Sequence, residues 1–334
     1  MDICTLLFNE KVAFPNLQTL HIFRIPVEKI WHNLPPKISS CVQSLTEVTV
    51  FGCGNLKELF SSSTVITEES RAEETRDKIV FPKLNSLRIQ NLEKLITLWS
   101  GYYIEFPTLE EFRIKSCPQL DAFIFDDKVA FPNLQSLHIS RIPVEKIWHN
   151  LPPKISSCVQ NLTELSVFGC GNLKELFSSS TVVMEQSREE EMRDTIWFPI
   201  LNCLSIQKLE KLTTLWSGYH IEFPTLKEFI IDRCPQLDAF IFDDKVRVPS
   251  LQKMKIRYMD NLKMIWHNNQ LDGDSFSKLK SLHVCNCQKL LTLFPSNICG
   301  RNSRVPLKNL KNVQSSNKDC EGSSSRHLER GDPV

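Results

Sequence analysis

Histidine and cysteine are the residues of this chain whose types and spacing could support catalysis or metal binding. The tripeptide Trp-His-Asn occurs three times, with its histidine at His32, His149 and His267, and the sequence holds 12 cysteines. A histidine that recurs at a fixed structural position has a structural role more often than a catalytic one. The sequence contains no C-x-x-C pair, no H-E-x-x-H, no G-x-S-x-G and no phosphate-loop motif. We therefore expect no catalytic residue, no cofactor and no bound metal.

Five of the cysteines belong to a repeated pattern. Residues 106–123 read FPTLEEFRIKSCPQLDAF, and their apolar positions fit L-x-x-L-x-L-x-x-(N/C)-x-L, the pattern of a leucine-rich repeat. The cysteine lies eight residues after the first leucine of every second unit, and we expect these thiols to be reduced and buried, like small hydrophobic side chains. Ten units are present, with spacings of 25, 28 or 39 residues, and their first leucines are Leu17, Leu45, Leu84, Leu109, Leu134, Leu162, Leu201, Leu226, Leu251 and Leu279.

The order of the spacings is itself repeated, which indicates an internal duplication. Residues 11–127 align with residues 128–244 at an offset of 117 without a gap, and 22 positions differ. We expect residues 1–13 to be the truncated end of a preceding repeat, residues 14–295 to form ten repeats, and residues 296–334 to be a degraded cap with a disordered tail. The 39-residue units carry polar insertions at 61–80 and 178–197, for which we expect mobile loops.

The repeats predict one continuous solenoid in place of separate domains. Most units open with Phe-Pro or a close variant, and proline belongs just before a strand because it fixes φ and lacks a backbone donor. Each strand should then alternate inward and outward side chains. We predict an α/β fold, a curved right-handed superhelix with parallel β-strands on its concave face and a mostly irregular or 3-10 convex side.

Charge and composition argue against several classes of partner. The chain has 40 basic and 39 acidic residues, a formal net charge of +1, so it lacks the basic excess of a nucleic-acid or anionic-membrane binder. No apolar run approaches 18 residues, and the first residues lack the basic segment of a secretory signal. Together with the free cysteines, this predicts a cytoplasmic protein with neither nucleic-acid nor membrane partners.

The two copies differ most at the outward strand positions, which lie two, four and six residues after the first leucine. Seven of these twelve paired positions differ, against 15 of the other 105. Random drift concentrates at exposed positions because changes there cost little stability. The alternative is that this face contacts a ligand and that its residues changed after the duplication to alter that contact. The candidate contact residues on the concave face are Phe23, Phe51, Arg88, Glu111, Arg113, Lys115, Ile230, Asp232, Lys253, Lys255 and Arg257.

Two groups of these residues predict basic spots. Arg88, Arg113 and Lys115 would form one in the first copy, and the alternating cations of 253–257 would form a stronger one near the end of the repeats. Basic rim charges raise the association rate with acidic protein surfaces. A solvated strand face without a partner is the competing interpretation.

Three motifs carry a family resemblance across residues 14–294. They are the F-P-x-L-x-x-L-x-I openings, C-x-x-L-x-x-[LF] as in 53–60, and L-x-x-I-W as in 262–266. This combination resembles the leucine-rich repeats of plant intracellular disease resistance proteins of the coiled-coil, nucleotide-binding class. The resemblance implies a non-enzymatic protein-binding module of plant defence, which senses a pathogen effector or a guarded host protein, or contacts its own receptor domains if it is part of a longer chain. Nucleotide binding is not carried over, because the phosphate loop is missing.

Two alternatives stay open at this point. One is a substrate-recruiting solenoid of a ubiquitin ligase, which would need an adaptor-binding motif that this sequence lacks. The other is a non-functional fragment of a receptor gene, to which the mid-repeat start and the degraded end point.

Overall fold

The structure is a computed structural model that describes residues 6–8, 14–32, 42–61, 78–100, 103–121, 129–147, 160–178, 195–217, 220–237, 241–242, 245–266 and 276–291. These segments contain short strands joined by turns. The strands are β1 (Leu6–Phe8), β2 (Thr19–Phe23), β3 (Lys29–His32), β4 (Glu47–Phe51), β5 (Glu58–Ser61), β6 (Lys78–Val80), β7 (Ser86–Gln90), β8 (Thr97–Ser100), β9 (Tyr103–Glu105), β10 (Glu111–Lys115), β11 (Val129–Ala130), β12 (Ser136–Ser140), β13 (Glu164–Phe168), β14 (Glu175–Ser178), β15 (Thr195–Trp197), β16 (Cys203–Gln207), β17 (Thr214–Ser217), β18 (His220–Glu222), β19 (Glu228–Asp232), β20 (Val246–Arg247), β21 (Lys253–Arg257) and β22 (Ser281–Cys285).

Ten strands form one sheet in the order β2-β4-β7-β10-β12-β13-β16-β19-β21-β22. Each begins two residues after the first leucine of a unit, and neighbours pair in parallel, residue for residue, as Glu111 does with Ser86 and Ser136. Residues at the same offset in successive units therefore form straight rows across the sheet, with about 4.8 Å between adjacent strands.

Inward side chains and stacked rings form the core. Phe112 and Ile114 of β10 are fully buried, and so are the phenylalanines that open the later units, whereas Phe14 of the first unit is exposed. Rings of neighbouring units contact each other face to face: Phe106 lies 5.1 Å from the ring of Phe81 and 5.3 Å from that of Phe131. The tryptophans that end odd-numbered units take part, since Trp31 stacks 5.0 Å from Phe60. Each unit thus buries its aromatic residues against the next, as a solenoid requires.

A left-handed residue ends every strand of the large sheet, with φ between 51° and 68°. Its amide N–H donates to the last strand carbonyl of the next unit: Arg24 to Phe51 at 2.8 Å, and Gly52 to Gln90 at 3.0 Å. This bond extends the hydrogen-bond ladder between neighbouring strands by one step. Because the left-handed residue has the same place in every unit, the chain turns in the same direction after each strand. We call this row the rim; its residues are Arg24, Gly52, Asn91, Ser116, Arg141, Gly169, Lys208, Arg233, Tyr258 and Asn286.

The recurring cysteines join the units in pairs. Cys117 Sγ lies 3.6 Å from the carbonyl oxygen of Lys115 and accepts a hydrogen bond from the backbone N–H of Leu92 in the preceding unit. Cys53, Cys170 and Cys234 make the corresponding contacts. Because an aliphatic side chain cannot form such bonds, one thiol in every two units satisfies backbone groups of both, which accounts for the alternation in the sequence.

The other side of the solenoid differs from the irregular or 3-10 structure that the sequence predicted. Short parallel sheets lie there, in the orders β1-β3-β5-β8, β14-β17, β11-β9-β6 and β15-β18-β20. Each return segment is short, and successive returns run side by side, so their backbone groups pair between units. Neither an α-helix nor a 3-10 helix occurs in the described residues, so the α/β assignment is not confirmed.

The polar insertions are bounded by strands. Strand β5 ends at Ser61 and β6 begins at Lys78, while β14 ends at Ser178 and β15 begins at Thr195. The remainder of 61–80 and 178–197 lies outside the described residues. So does the expected tail at 296–334, and residues 1–13 are described only at β1, which pairs with β3. Within the described segments there is no helix of the length and apolarity that a membrane span requires.

Candidate functional site

The outward side of the ten-stranded sheet holds all the contact residues that the sequence predicted. We call it the sheet face. Its side chains form three rows, two, four and six residues after the first leucine of each unit. The row at two consists of Thr19, Glu47, Ser86, Glu111, Ser136, Glu164, Cys203, Glu228, Lys253 and Ser281; the row at four of His21, Thr49, Arg88, Arg113, His138, Ser166, Ser205, Ile230, Lys255 and His283; and the row at six of Phe23, Phe51, Gln90, Lys115, Ser140, Phe168, Gln207, Asp232, Arg257 and Cys285.

Arg88 joins two carboxylates on the sheet face of the first copy. Its Nη1 donates to Glu47 Oε1 and its Nη2 to Glu111 Oε2, each at 2.9 Å. Arg113 Nε donates to the other oxygen of Glu111. The predicted basic spot of Arg88, Arg113 and Lys115 was therefore wrong, because Glu47 and Glu111 neutralise both arginines. The side chain of Lys115 is exposed and forms no hydrogen bond or ion pair with any described residue.

The ion pairs also affect the titration of Glu111. Burial alone would raise the pKa of this carboxyl, but Arg113 and Arg88 outweigh burial and lower the pKa below its ordinary value. Glu111 is therefore charged at neutral pH, and the cluster of two carboxylates and two guanidinium groups is internally balanced.

The second copy keeps both carboxylates and lacks both arginines. Ser205 stands in the place of Arg88, and Ile230 in the place of Arg113. Glu228 accepts a hydrogen bond from Lys255 at 2.9 Å, whereas the carboxylate of Glu164 forms no hydrogen bond or ion pair with any described residue. Burial, and then Glu164 and Glu228, raise the pKa of the Cys203 thiol between them to about 12. This part of the sheet face combines small side chains with an excess of negative charge.

Aromatic rings and cations alternate where the sheet face meets the rim. Phe23 is 53% exposed, its ring lies 6.1 Å from that of Phe51, and the guanidinium of Arg24 lies 5.7 Å above Phe51. In the second copy Phe168 lies between Arg141 at 5.7 Å and Lys208 at 4.9 Å. These distances are within the range of cation–π attraction.

Asp232 and Arg257 were expected to be exposed, and both are buried. Their side chains form an ion pair of 3.0 Å with 1% and 8% of their surface accessible. Burial raises the pKa of Asp232, against the opposing effects of Arg257, Arg233 and Lys208. The rim covers this end of the sheet, since Arg233 lies over the ring of Tyr258 at 4.3 Å and 3.5 Å from Asp232.

The second predicted basic spot is consequently reduced. Arg257 donates a hydrogen bond to Asp232, and Lys255 donates one to Glu228. The side chain of Lys253 is exposed and its ammonium group forms no bond with another described residue, so one free cation is present in this spot where the sequence predicted three.

Two rim residues belong beside the site although the sequence reasoning did not select them. Lys208 and Arg233 are positively charged, whereas the corresponding residues of the first copy, Asn91 and Ser116, are neutral. A signal was available in the sequence, because two of the four rim positions of the duplicated block differ between the copies. The left-handed backbone that directs these side chains beside the sheet face could not be read from the residue types alone.

The described residues include no cluster of three or more His, Cys, Asp or Glu side chains suited to a metal ion. Of the recurring Trp-His-Asn motifs, the side chain of His32 and all of His149 and His267 lie outside the described residues. The seven cysteines in the described segments are free thiols.

The repeated turns and parallel sheets define a leucine-rich repeat solenoid. Residues 126–247 and 239–319 match the family described as "Plant disease resistance protein RPS2-like, leucine-rich repeats", and together these matches span more than half of the chain. The chain belongs to this family, which confirms the resemblance found in the sequence. Leucine-rich repeats of this kind are indicative of a protein-interaction module.

The comparison with solved structures includes a leucine-rich repeat protein from Bacteroides ovatus. Its sequence is 13% identical, the match covers 81% of this chain and 67% of that chain, and the TM-score is 0.32. No curated protein matches this chain.

Proposed function

We propose that this chain is a non-enzymatic binding module of plant defence that recognises a pathogen effector or a guarded host protein through its sheet face, the surface that the sequence predicts to be concave. The observation that carries the proposal is the concentration of differences between the two copies. Seven of twelve sheet-face positions differ, against 15 of the other 105 positions of the duplicated block.

The chemistry of the changes supports a binding role over drift alone. Arg113 to Ile230 and Lys115 to Asp232 alter charge and polarity together, while the glutamates on either side are kept. Drift on a solvated face has no reason to keep Glu47 and Glu111 as Glu164 and Glu228 while it replaces the residues that contact them. Exposed Phe23 and partly exposed Phe51 add apolar area to a surface otherwise lined by charges, a mixture common in protein interfaces.

The remaining features support a protein partner in the cytoplasm. The net charge of +1 gives no general attraction to nucleic acid or anionic lipid. Free thiols in the described segments suit a reducing compartment.

The test compares charge reversals on two sides of the solenoid. A panel of defence-related host proteins and effectors is screened by yeast two-hybrid against the chain, and each interactor is retested with K115E/K253E on the sheet face. The matched control is K57E/K263E, two exposed lysines on the return side with the same change of charge. We expect the sheet-face variant alone to lose binding, with unchanged circular dichroism in both variants. Equal loss in both, or loss in the control alone, would show that the sheet face is not the recognition surface.

A further inference from the structure

We propose that the sheet face of the second copy binds an arginine side chain of the partner protein, which occupies the place that Arg88 occupies in the first copy. This inference rests on the proposed function, since it specifies the chemistry that the partner must present. It is drawn from two copies of one arrangement within the same chain.

In the first copy, the guanidinium group of Arg88 occupies the space between two glutamates. Arg88 extends from the middle strand of three, and its two terminal nitrogens each bond one carboxylate, Glu47 on one side and Glu111 on the other, at 2.9 Å. Ser86 supports Glu111 with a hydroxyl hydrogen bond of 3.2 Å. The two glutamates stand on strands about 10 Å apart, so one guanidinium group spans both. Charge-assisted bonds of this kind are among the strongest in proteins.

The second copy presents the same two carboxylates with the guanidinium removed. Glu164 and Glu228 correspond to Glu47 and Glu111 at the offset of 117, and their strands pair with the middle strand β16 in the same register. Ser205 replaces Arg88, so the space that the long side chain fills in the first copy is lined by small groups. Lys255 takes one oxygen of Glu228, and Glu164 has no bonded partner in the described segments.

Two polar groups on the strands beside this space lack a hydrogen-bond partner among the described residues. Ser166 is 7% exposed, lies between His138 and Ser205 in the row at four, and its hydroxyl makes no hydrogen bond with any described residue. The Nε2 atom of His138 forms a hydrogen bond with the hydroxyl of Ser136 at 2.8 Å, and its Nδ1 is buried without a partner among the described residues. A bound guanidinium group, which has five N–H donors, could donate one hydrogen bond to the hydroxyl of Ser166.

The neighbouring residues favour arginine over other cations. Ile230 replaces Arg113 and gives an apolar wall on which a planar guanidinium group or its aliphatic stem can pack. A lysine ammonium group is a point charge and cannot form the fork that joins two separated carboxylates. The site is open on the sheet face, so the arginine would be carried by a protein surface.

The experiment uses the intact chain with 13C-labelled isoleucine methyl groups and a short blocked peptide, acetyl-Gly-Arg-Gly-amide, as the probe. The Ile230 signal is assigned with Ile230→Val and followed as the peptide is titrated. We expect a saturable shift with this peptide and at least about tenfold weaker binding of the otherwise identical citrulline peptide, which keeps the shape and loses the charge.

Two variants make the assignment specific. Ser205→Arg should rebuild the first-copy arrangement and abolish the Ile230 response while the protein keeps its melting temperature. The charge-matched control Ser281→Arg, placed on the terminal strand β22, two strands from β19, should leave the response intact. The proposal would be overturned if the citrulline peptide, or the otherwise identical lysine peptide, bound as tightly as the arginine peptide. An undiminished Ile230 response in Ser205→Arg would also overturn it. Because the peptide is the only ligand, the result is independent of the two-hybrid screen, and failure of either experiment can be told from failure of the other.

Discussion

The carboxylate of Asp232 and the guanidinium group of Arg257 form an ion pair on the outward side of the sheet that solvent hardly reaches. Oδ2 and Nη2 lie 3.0 Å apart, while Oδ1 of the aspartate and Nε of the arginine have no hydrogen-bond partner. The two residues stand opposite each other on β19 and β21. Burying two charges with incomplete hydrogen bonding is costly, so the fold tolerates the pair only while both members are present.

Removal of one member should therefore be far more damaging than removal of both. We expect Arg257→Met to reduce the free energy of unfolding by about 3 kcal/mol, because it removes the buried counterion of Asp232 and leaves only the partly exposed Arg233, at 3.5 Å. The double variant Asp232→Leu, Arg257→Met should reduce the free energy of unfolding by clearly less than Arg257→Met alone. Urea unfolding followed by circular dichroism measures both, with Lys253→Met as the exposed control, for which the change should be within about 0.5 kcal/mol. A single variant no worse than this control would refute the view that the pair is structural.

Arg88 allows a prediction that depends on pH. Arg88→Gln should reduce the free energy of unfolding by about 1 kcal/mol at neutral pH. The value is modest because Arg88, Glu47 and Glu111 are partly solvated. Burial acts against the arginines, but the pKa of Glu111 is lowered in the folded state, so the stabilisation is complete above the ordinary value of 4.5 and is lost as the pH falls through the lower folded pKa.

The measurement is the difference in unfolding free energy between wild type and Arg88→Gln at pH 7 and at about pH 3. We expect the difference to shrink at the acidic pH, where protonation of Glu111 weakens its attraction to the guanidinium group. Lys83→Gln, in the same unit and exposed, should show little difference at either pH. A deficit in Arg88→Gln that does not depend on pH would mean that Arg88 stabilises the sheet by packing alone.

The family and the large sheet were predictable from the sequence because both depend on local spacing. Each strand of the sheet begins two residues after a leucine that the repeat pattern identifies, and alternation along the strand gives the direction of side chains such as Phe112 and Arg113. The short sheets of the return side were missed. Segments of three residues such as β6 carry no periodic signal, and they become strands only because another unit places a matching segment beside them.

The outward placement of the candidate contact residues could be predicted from the sequence, whereas their electrostatics could not, and their role in binding stays a prediction. The sequence placed Arg88 and Asp232 on the outward face, but the partners that neutralise Arg88 and bury Asp232 come from neighbouring units, up to 41 residues away in the case of Glu47. The row register makes such pairs visible once the units are aligned, since glutamates at offset two meet cations at offset four. Burial by the rim depends on left-handed residues whose types vary from glycine to tyrosine, so it needed the structure.

Gly52 offers a test of the rim. Its φ of +68° is unfavourable for residues with a Cβ atom, and a methyl group added there would lie 2.9 Å from Cγ of Arg24. Gly52→Ala should therefore cost about 1–2 kcal/mol from backbone strain, and more because Arg24 must leave its place above Phe51. Gly169→Ala should cost less, since the corresponding distance to Arg141 Cγ is 3.2 Å.

A double-variant cycle separates the two contributions. In an Arg24→Ala background the collision is absent, so Gly52→Ala should cost only the backbone strain there. Urea unfolding of the four proteins gives the coupling energy. A cost that is the same in both backgrounds would show that Arg24 moves aside freely and that the rim contact contributes nothing.

The cysteines that join units in pairs predict a loss of stability in alkali. Burial raises the pKa of Cys117 and Cys170 to about 11 and that of Cys234 to about 12, against 9.0 for an exposed thiol. Between these values the folded chain keeps protons that the unfolded chain has lost. Stability is therefore complete below about pH 9 and falls as the pH rises through the range up to the folded pKa values.

Serine at the same three positions can form equivalent hydrogen bonds and does not titrate in this range. The triple variant Cys117→Ser, Cys170→Ser, Cys234→Ser should consequently lose less stability than wild type between pH 9 and about pH 11, whatever its stability at pH 7. Urea unfolding at several pH values measures both slopes, and all other titrating groups are common to the two proteins. Equal slopes would mean that the thiols ionise in the folded chain as easily as in the unfolded one, and that their burial between the units is not maintained in solution.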